Sequence, residues 1–273
     1  MEEKVVNLAK EIRTNILDCI GSIGSGHIGG CLSIADVLAV LYGKRLKYRA
    51  AKPKLETRDR LVLSKGHAGP ALYSALAASG FFPRETLLTL NQGGTKLPSH
   101  CDMNKTPGVD MTAGSLGQGF SCAVGMAIGS KIKGHSNTIY SIIGDGESQE
   151  GQIWEAAMLA SQKKLSNLIA FTDYNHCQID GTVEDINDIA PLNKKWEAFG
   201  FNVQSIDGHD LDAIDKAIAK AKSKNKKNGK PSMVILNTKK GKGVSYAESI
   251  GFKCHSMSLT KDMVEAGKKE VNA

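Results

Sequence analysis

The sequence predicts an α/β fold in which a parallel sheet is flanked by helices on both faces. Three observations carry this. Short β-branched apolar runs, among them Thr138 to Ile143, Asn167 to Asp173 and Ser232 to Thr238, have the length and composition of strands buried on both faces. Segments of helical length and periodicity stand between them, so strand and helix alternate. No internal repeat or linker divides the 273 residues, which read as a single domain over 1–273.

The elements follow in chain order. Val5, Leu8, Ala9, Ile12 and Ile16 recur at helical spacing after an acidic start, which marks a docking helix and not a secretory signal. Ala35 to Lys44 reads as a second helix, Arg60 to Ser64 as a strand, and Ala71 to Gly80 as a helix closed by its glycine. Ser121 to Ile132 reads as a helix after the glycine-rich GSLGQG. Thr138 to Ile143, Ile153 to Lys164 and Asn167 to Asp173 then form a β-α-β unit. Phe201 to Asp207 is a strand, Lys216 to Lys230 begins as an amphipathic helix and ends in a surface turn, and Ser232 to Thr238 is the last buried strand. The C-terminal VEAGKKEVNA reads as a short polar tail.

The β-α-β unit carries the chemistry. Parallel strands joined by a crossover helix place both C-terminal ends on one edge of the sheet, where open α/β sheets bind ligands. Asp145 of the Gly144-Asp145-Gly146 turn and Asn175, thirty positions later (175 − 145), therefore meet across a crevice. One carboxylate, one amide oxygen and a nearby backbone carbonyl are hard ligands suited to Mg²⁺ or Ca²⁺. They are too few to fill an octahedron, so a diphosphate is implied as the other ligand. Glycines 144 and 146 allow close approach, and the following helix N-terminus favours an anion.

Composition excludes several other classes. Mean hydropathy of −0.22 and 41% hydrophobic residues fit an ordinary globular chain, and no run is long enough to span a membrane. Six cysteines without CxxC pairs favour reduced thiols in a cytoplasm over disulfides or zinc. The net charge of +7 sits largely in Lys216 to Lys230, with no aromatic platform to suggest nucleic acid. Gly24 to Gly29 matches GxGxxG but follows a helix, and no GxxxxGK[ST] occurs, so neither dinucleotide nor P-loop chemistry is indicated.

With GDG, Glu150-Gly151, Asp173-Tyr174-Asn175 and Ile179-Asp180-Gly181 in place, the chain resembles the transketolase family of thiamine-diphosphate enzymes. SGHIGG (Ser25 to Gly30), RDRLVLSKGH (Arg58 to His67), LPSH (Leu97 to His100), GSLGQG (Gly114 to Gly119), IDGHDLD (Ile206 to Asp212) and KGKGVS (Lys240 to Ser245) stand in the family's order across nearly the whole chain. The resemblance implies the thiamine-diphosphate-binding, diphosphate-domain fold. It further implies Mg²⁺, with Ca²⁺ a substitute, held by Asp145, Asn175 and the carbonyl of Cys177, and Gly146 beside the diphosphate. His67 and Lys240 would contact that diphosphate, and Gly114, Ser115 and Leu116 would line the ring side of the cofactor. His27, His100 and His255 would face donor and acceptor sugars as catalytic imidazoles, with His255 also near the cofactor. The family shows Trp-His-Gly around this last histidine where this chain has Cys254-His255-Ser256, and Pro where it has Ser115. Glu150 matches an acid buried between two active sites, and a carboxylate interacting with a helix dipole explains it as well.

In the family, the glutamate that activates the cofactor and the arginines that grip sugar phosphate lie in a following pyrimidine-binding domain. The expectation is thus the N-terminal subunit of a split transketolase, moving a two-carbon ketol group from a ketose phosphate to an aldose phosphate. A separate C-terminal subunit would complete a symmetric heterotetramer, with no nucleic acid or membrane partner. Alternatives are half of a 1-deoxyxylulose-phosphate-synthase-like or 2-oxo-acid-dehydrogenase-like enzyme, or a non-catalytic cofactor-binding paralogue.

Overall fold

The computed structural model describes residues 1–273. Helix α1 (Glu3–Gly21) buries Val5, Ala9, Ile12, Ile16 and Ile20 along one face. A two-residue strand β1 (Ser25–Gly26) and short helices α2 (Ile28–Leu32) and α3 (Ala35–Val40) follow, the last running into a π turn over Leu41–Arg45. Next come β2 (Arg60–Leu63), α4 (Gly69–Ala78), α5 (Gln118–Ile132), β3 (Ile139–Gly144), α6 (Gly151–Gln162) and β4 (Leu168–Tyr174). The chain continues through α7 (Val183–Asn187), α8 (Leu192–Ala198), β5 (Asn202–Asp207), α9 (Leu211–Asn228) and β6 (Ser232–Asn237). It closes with α10 (Ser245–Ser249), β7 (Met257–Ser258) and α11 (Lys261–Asn272).

Five strands form one parallel sheet in the order β2-β3-β4-β6-β5. Because side chains alternate across a strand, each strand feeds two cores. Leu61, Leu63, Tyr140, Ile142, Ile169, Phe171, Val234 and Leu236 pack with α1, α3, α4 and α9. Val62, Ile139, Ile143, Leu168, Ala170, Met233 and Ile235 pack with α5, α6 and α8 on the other face. The apolar runs therefore read as continuous, without the polar alternation of a one-sided sheet. No helix is long and apolar enough to cross a membrane.

The five strands of the parallel sheet lie within a residue of their expected bounds, β1 and β7 were not expected, and the helices differ more. Helix α9 starts at an Asp210 cap that accepts from the amides of Asp212 and Ala213 and ends at Gly229 with φ 76°, so the basic segment is helical almost throughout. The expected helix Ala35 to Lys44 changes to a π turn after Val40.

The polar tail is a correction. Residues 261–272 form α11, capped by Thr260, and bury Val264, Gly267 and Val271. Val264 lies against Gly21, where an added Cβ would come within 2.6 Å of it, and Gly267 lies against Leu17. Three small apolar residues in a charged stretch give little signal by composition, and only the groove on α1 makes them a packing face. Val264→Ala should cost about 1–2 kcal/mol, measured by chemical denaturation. An unchanged midpoint would show that α11 does not dock.

Candidate active site

Gly144 at the end of β3 pairs in register with Asp173 in β4, so the turns that follow leave the sheet side by side. Asp145 is 3% exposed. Its Oδ1 accepts from the Gly146 amide at 2.8 Å, while its Oδ2 is buried without a partner. Burial, then the neighbouring Asp173, pushes this carboxyl up to about 6. Asn175 Oδ1 accepts from the Cys177 amide at 3.1 Å, and the Cys177 carbonyl accepts from the Lys240 ammonium at 2.9 Å. An orphaned buried carboxylate oxygen near an amide oxygen and a main-chain carbonyl fits Mg²⁺ or Ca²⁺. No group of three His, Cys, Asp or Glu side chains is placed to hold an ion alone.

Asp173, to which the sequence assigned no role, lies directly beneath. It is wholly buried, and its Oδ2 accepts from Lys65 Nζ and Ser33 Oγ, both at 2.6 Å, and from Asn175 Nδ2 at 2.9 Å. Its Oδ1 accepts from Thr238 Oγ1. Burial works to raise this carboxyl, but the Lys65 charge and the hydrogen bonds outweigh it and hold it below the usual range. Lys65, 2% exposed, also donates to the Gly30 carbonyl at 2.9 Å.

A cavity of about 410 Å³ opens above these groups. Four imidazoles share it: ring centroids are 5.0 Å apart for His67 and His255, 5.3 Å for His27 and His255, 5.5 Å for His27 and His67, and 6.0 Å for His27 and His100. Burial foremost, then nearby cationic groups, lowers His27, His67 and His255, the last to about 3. These three rings are neutral at pH 7 and available to accept a proton. Lys240 is 4% exposed and also stands 3.1 Å from His255 Nδ1. Burial and Lys65 lower its ammonium.

Gly114, Leu116, Gly146 and Glu150 also line this cavity. Ser115 is exposed and lies outside its wall. Glu150 is exposed at the start of α6 and makes no side-chain cap bond. The buried acid is Glu147, three residues earlier, which no motif singled out. It accepts from Ser64 Oγ, from the Gly117 amide at 2.8 Å and from the Gly144 amide at 3.0 Å, so it ties three site-forming loops together. The only signal for Lys65 and Asp173 was their place inside SKGH and DYN, and Glu147 had none beyond following GDG, since burial is not written in residue type.

A family model described as transketolase, thiamine diphosphate binding domain, matches residues 4–272. The 6-deoxy-6-sulfo-D-fructose transketolase subunit SqwG of Clostridium sp. (strain MSTE9) is 56% identical, covering 99% of this chain and 98% of its own length. An apulose-4-phosphate transketolase subunit of Phocaeicola vulgatus is 40% identical over 95% of this chain and 91% of its own. The solved transketolase from Campylobacter jejuni superposes with a TM-score of 0.91 at 34% identity, covering 100% of this chain and 43% of that one. The chain thus spans nearly all of the two named subunits and less than half of the single-chain enzyme.

Magnesium pyrophosphate should raise the melting temperature, and Asp145→Ala should abolish that rise while leaving circular dichroism intact. A preserved rise would remove Asp145 from the metal site. Acid should also weaken the fold. His255 ionises far lower folded than unfolded, so stability is complete above about pH 6.5 and falls as pH drops toward about 3. His255→Gln should flatten that decline in denaturant titrations, and equal slopes would contradict the assignment.

Proposed function

The chain belongs to the transketolase family, and from that membership we propose that it is the N-terminal, thiamine-diphosphate-binding subunit of a split transketolase, all 273 residues forming one diphosphate-binding domain. The observation that carries this reading is the unpartnered, buried Asp145 Oδ2 beneath the cluster of imidazoles. That pairing of a cation-seeking oxygen with proton-accepting rings suits a cofactor anchored at its diphosphate end and a sugar held above it.

In this reading Asp145, Asn175 and the Cys177 carbonyl hold Mg²⁺, with Ca²⁺ as substitute. His67 and Lys240 take the diphosphate beside Gly146, and Gly114 and Leu116 border the ring side, with Ser115 between them outside the cavity wall. Thiamine diphosphate, when bound, supplies an electron sink that permits cleavage of the carbon–carbon bond next to a ketose carbonyl. The chain's own part is to orient the sugar and move protons. His27, His100 and His255 face the donor carbonyl and the acceptor aldehyde, and a neutral ring can take a hydroxyl proton as the bond breaks and return it as the new bond forms. His255 also flanks the cofactor through Lys240, its neighbour at 3.1 Å.

The partner we propose is a separate C-terminal subunit carrying the pyrimidine-binding domain. Ile132, Met158 and Leu159 on α5 and α6, with Ile179 and Ile186 at the cavity rim, are 43–81% exposed and support an unfilled contact face. Glu150, exposed at the same rim, would become buried there and couple two sites by sharing a proton. A symmetric pair of heterodimers follows from the preference for closed assemblies. Six free thiols support a reducing, cytoplasmic location. The sugars are a ketose donor and an aldose acceptor with anionic tails. Identity of 56% to the SqwG protein makes 6-deoxy-6-sulfo-D-fructose the first donor to assay, ahead of a ketose phosphate.

The pure chain with saturating thiamine diphosphate and Mg²⁺ should show no ketol transfer, and activity should appear with the product of a neighbouring gene. Robust turnover by the single chain would overturn the split-enzyme reading. In the assembled enzyme His27→Ala should depress turnover or raise KM for the donor with little change in cofactor affinity. Selective loss of cofactor binding would place His27 at the cofactor instead.

A further inference from the structure

We propose that His209 is a positioning residue, which with Arg13 and Asp36 clamps the backbone of residues 239–242 so that the Lys240 ammonium stands at the cavity. Its functional meaning rests on the assignment of Lys240 to the diphosphate, but the clamp itself is a matter of geometry.

The imidazole Nε2 of His209 lies 2.8 Å from the Lys239 amide nitrogen. A backbone N–H only donates, so Nε2 must present its lone pair, and the proton of the neutral ring sits on Nδ1. That proton points to Asp36 Oδ2 at 2.8 Å. Asp36 in turn accepts both terminal nitrogens of Arg13, at 2.9 and 2.5 Å, and Arg13 Nε donates to the Lys242 carbonyl at 3.1 Å. The segment is therefore gripped at Lys239 by the ring and at Lys242 by the guanidinium. Between them the Gly241 amide donates to the Gly29 carbonyl at 3.1 Å. Gly241 and Gly243, at φ +83° and +91°, make the tight path that this grip requires.

Burial makes the arrangement selective. Arg13 and Asp36 are 9% and 5% exposed, and a buried ion pair is tolerated only when its remaining donors and acceptors are satisfied. Here Arg13 Nε is spent directly on the loop, and Asp36 reaches it through His209. Lys240, held between the two grips, reaches the Cys177 carbonyl and His255.

A purely structural role for His209, satisfying Asp36, makes the opposite prediction from a role in holding the loop. In His209→Asn the amide nitrogen falls near the place of Nδ1 and still donates to Asp36, but nothing reaches Lys239. In His209→Gln the side-chain oxygen falls near the place of Nε2 and still accepts from Lys239, but Asp36 loses a donor. Hydrogen exchange of the peptide spanning 238–243 in the full chain, with acylation of Lys240 read by mass spectrometry, separates them. The Asn variant should exchange and acylate about tenfold faster than wild type, as expected for one lost buried hydrogen bond, with β3 and β4 still protected. The Gln variant should match wild type. The reverse order, or equal behaviour of all three, overturns the clamp. Should the Asn variant not fold, the Gln variant decides, since fast exchange at 238–243 in it contradicts the proposal and wild-type protection supports it. Titration of the same proteins with magnesium pyrophosphate isolates the other assumption: a released loop with unchanged affinity leaves the clamp standing and removes Lys240 from the diphosphate.

Discussion

The pairing of Lys65 with Asp173 is the interaction on which the site depends. Parallel strands β3 and β4 end in register, and each delivers an acid at or beyond its end: Asp145 and Asp173. Two carboxylates so close and so buried cannot both remain charged without compensation. Lys65 supplies it from the loop after β2, and Ser33, Thr238 and Asn175 satisfy the remaining lone pairs of Asp173. The same contacts draw the loops after α2, β2, β4 and β6 onto one edge of the sheet. Charge balance beneath the floor thus leaves Asp145 Oδ2 as the unmatched acceptor in the cavity above.

Asp173 and Lys65 compensate each other below the cavity, while Asp145, Lys240 and the neutral imidazoles of His27, His67 and His255 line it together. The depressed basicity of His27, His67 and His255 has its main cause in burial, with the lysine charges and the neighbouring rings adding to it. Packing several rings within 5–6 Å allows one added proton but resists a second, because each charged ring raises the cost of charging the next. Such a group suits transient proton transfer better than permanent positive charge.

Glu147 and the Arg13-Asp36-His209 network show that polar burial here does two tasks at once. Each satisfies acceptors inside a low-dielectric core, and each spends its bonds on loop backbone that borders the cavity. Loops after parallel strands have no ladder of their own to hold them. Side-chain oxygens, one imidazole and one guanidinium take over that role, and Arg13, Asp36 and Glu147 are buried in doing so.

By itself the sequence determined the class of fold and which strand ends lie side by side. Doubly buried strands leave continuous apolar runs, and Asp145 and Asn175 sit where parallel topology obliges them to meet, so periodicity and spacing sufficed. Motif order brought His27, His67, His100, His255 and Lys240 to notice, although nothing in their spacing stated that His67, His100 and His255 would all gather within 6.0 Å of His27. Tertiary structure alone decided the rest. Glu147 and Glu150 are identical in type, yet one is buried among three donors and the other faces solvent; His209 lies between Asp36 and the Lys239 amide, whereas His176 is exposed and pairs with Glu184; and α11 becomes a helix face because α1 offers Gly21 and Leu17 to its valine and glycine. Each of these depends on residues distant in the chain, and burial, charge compensation and docking are properties of such pairs, not of any one residue.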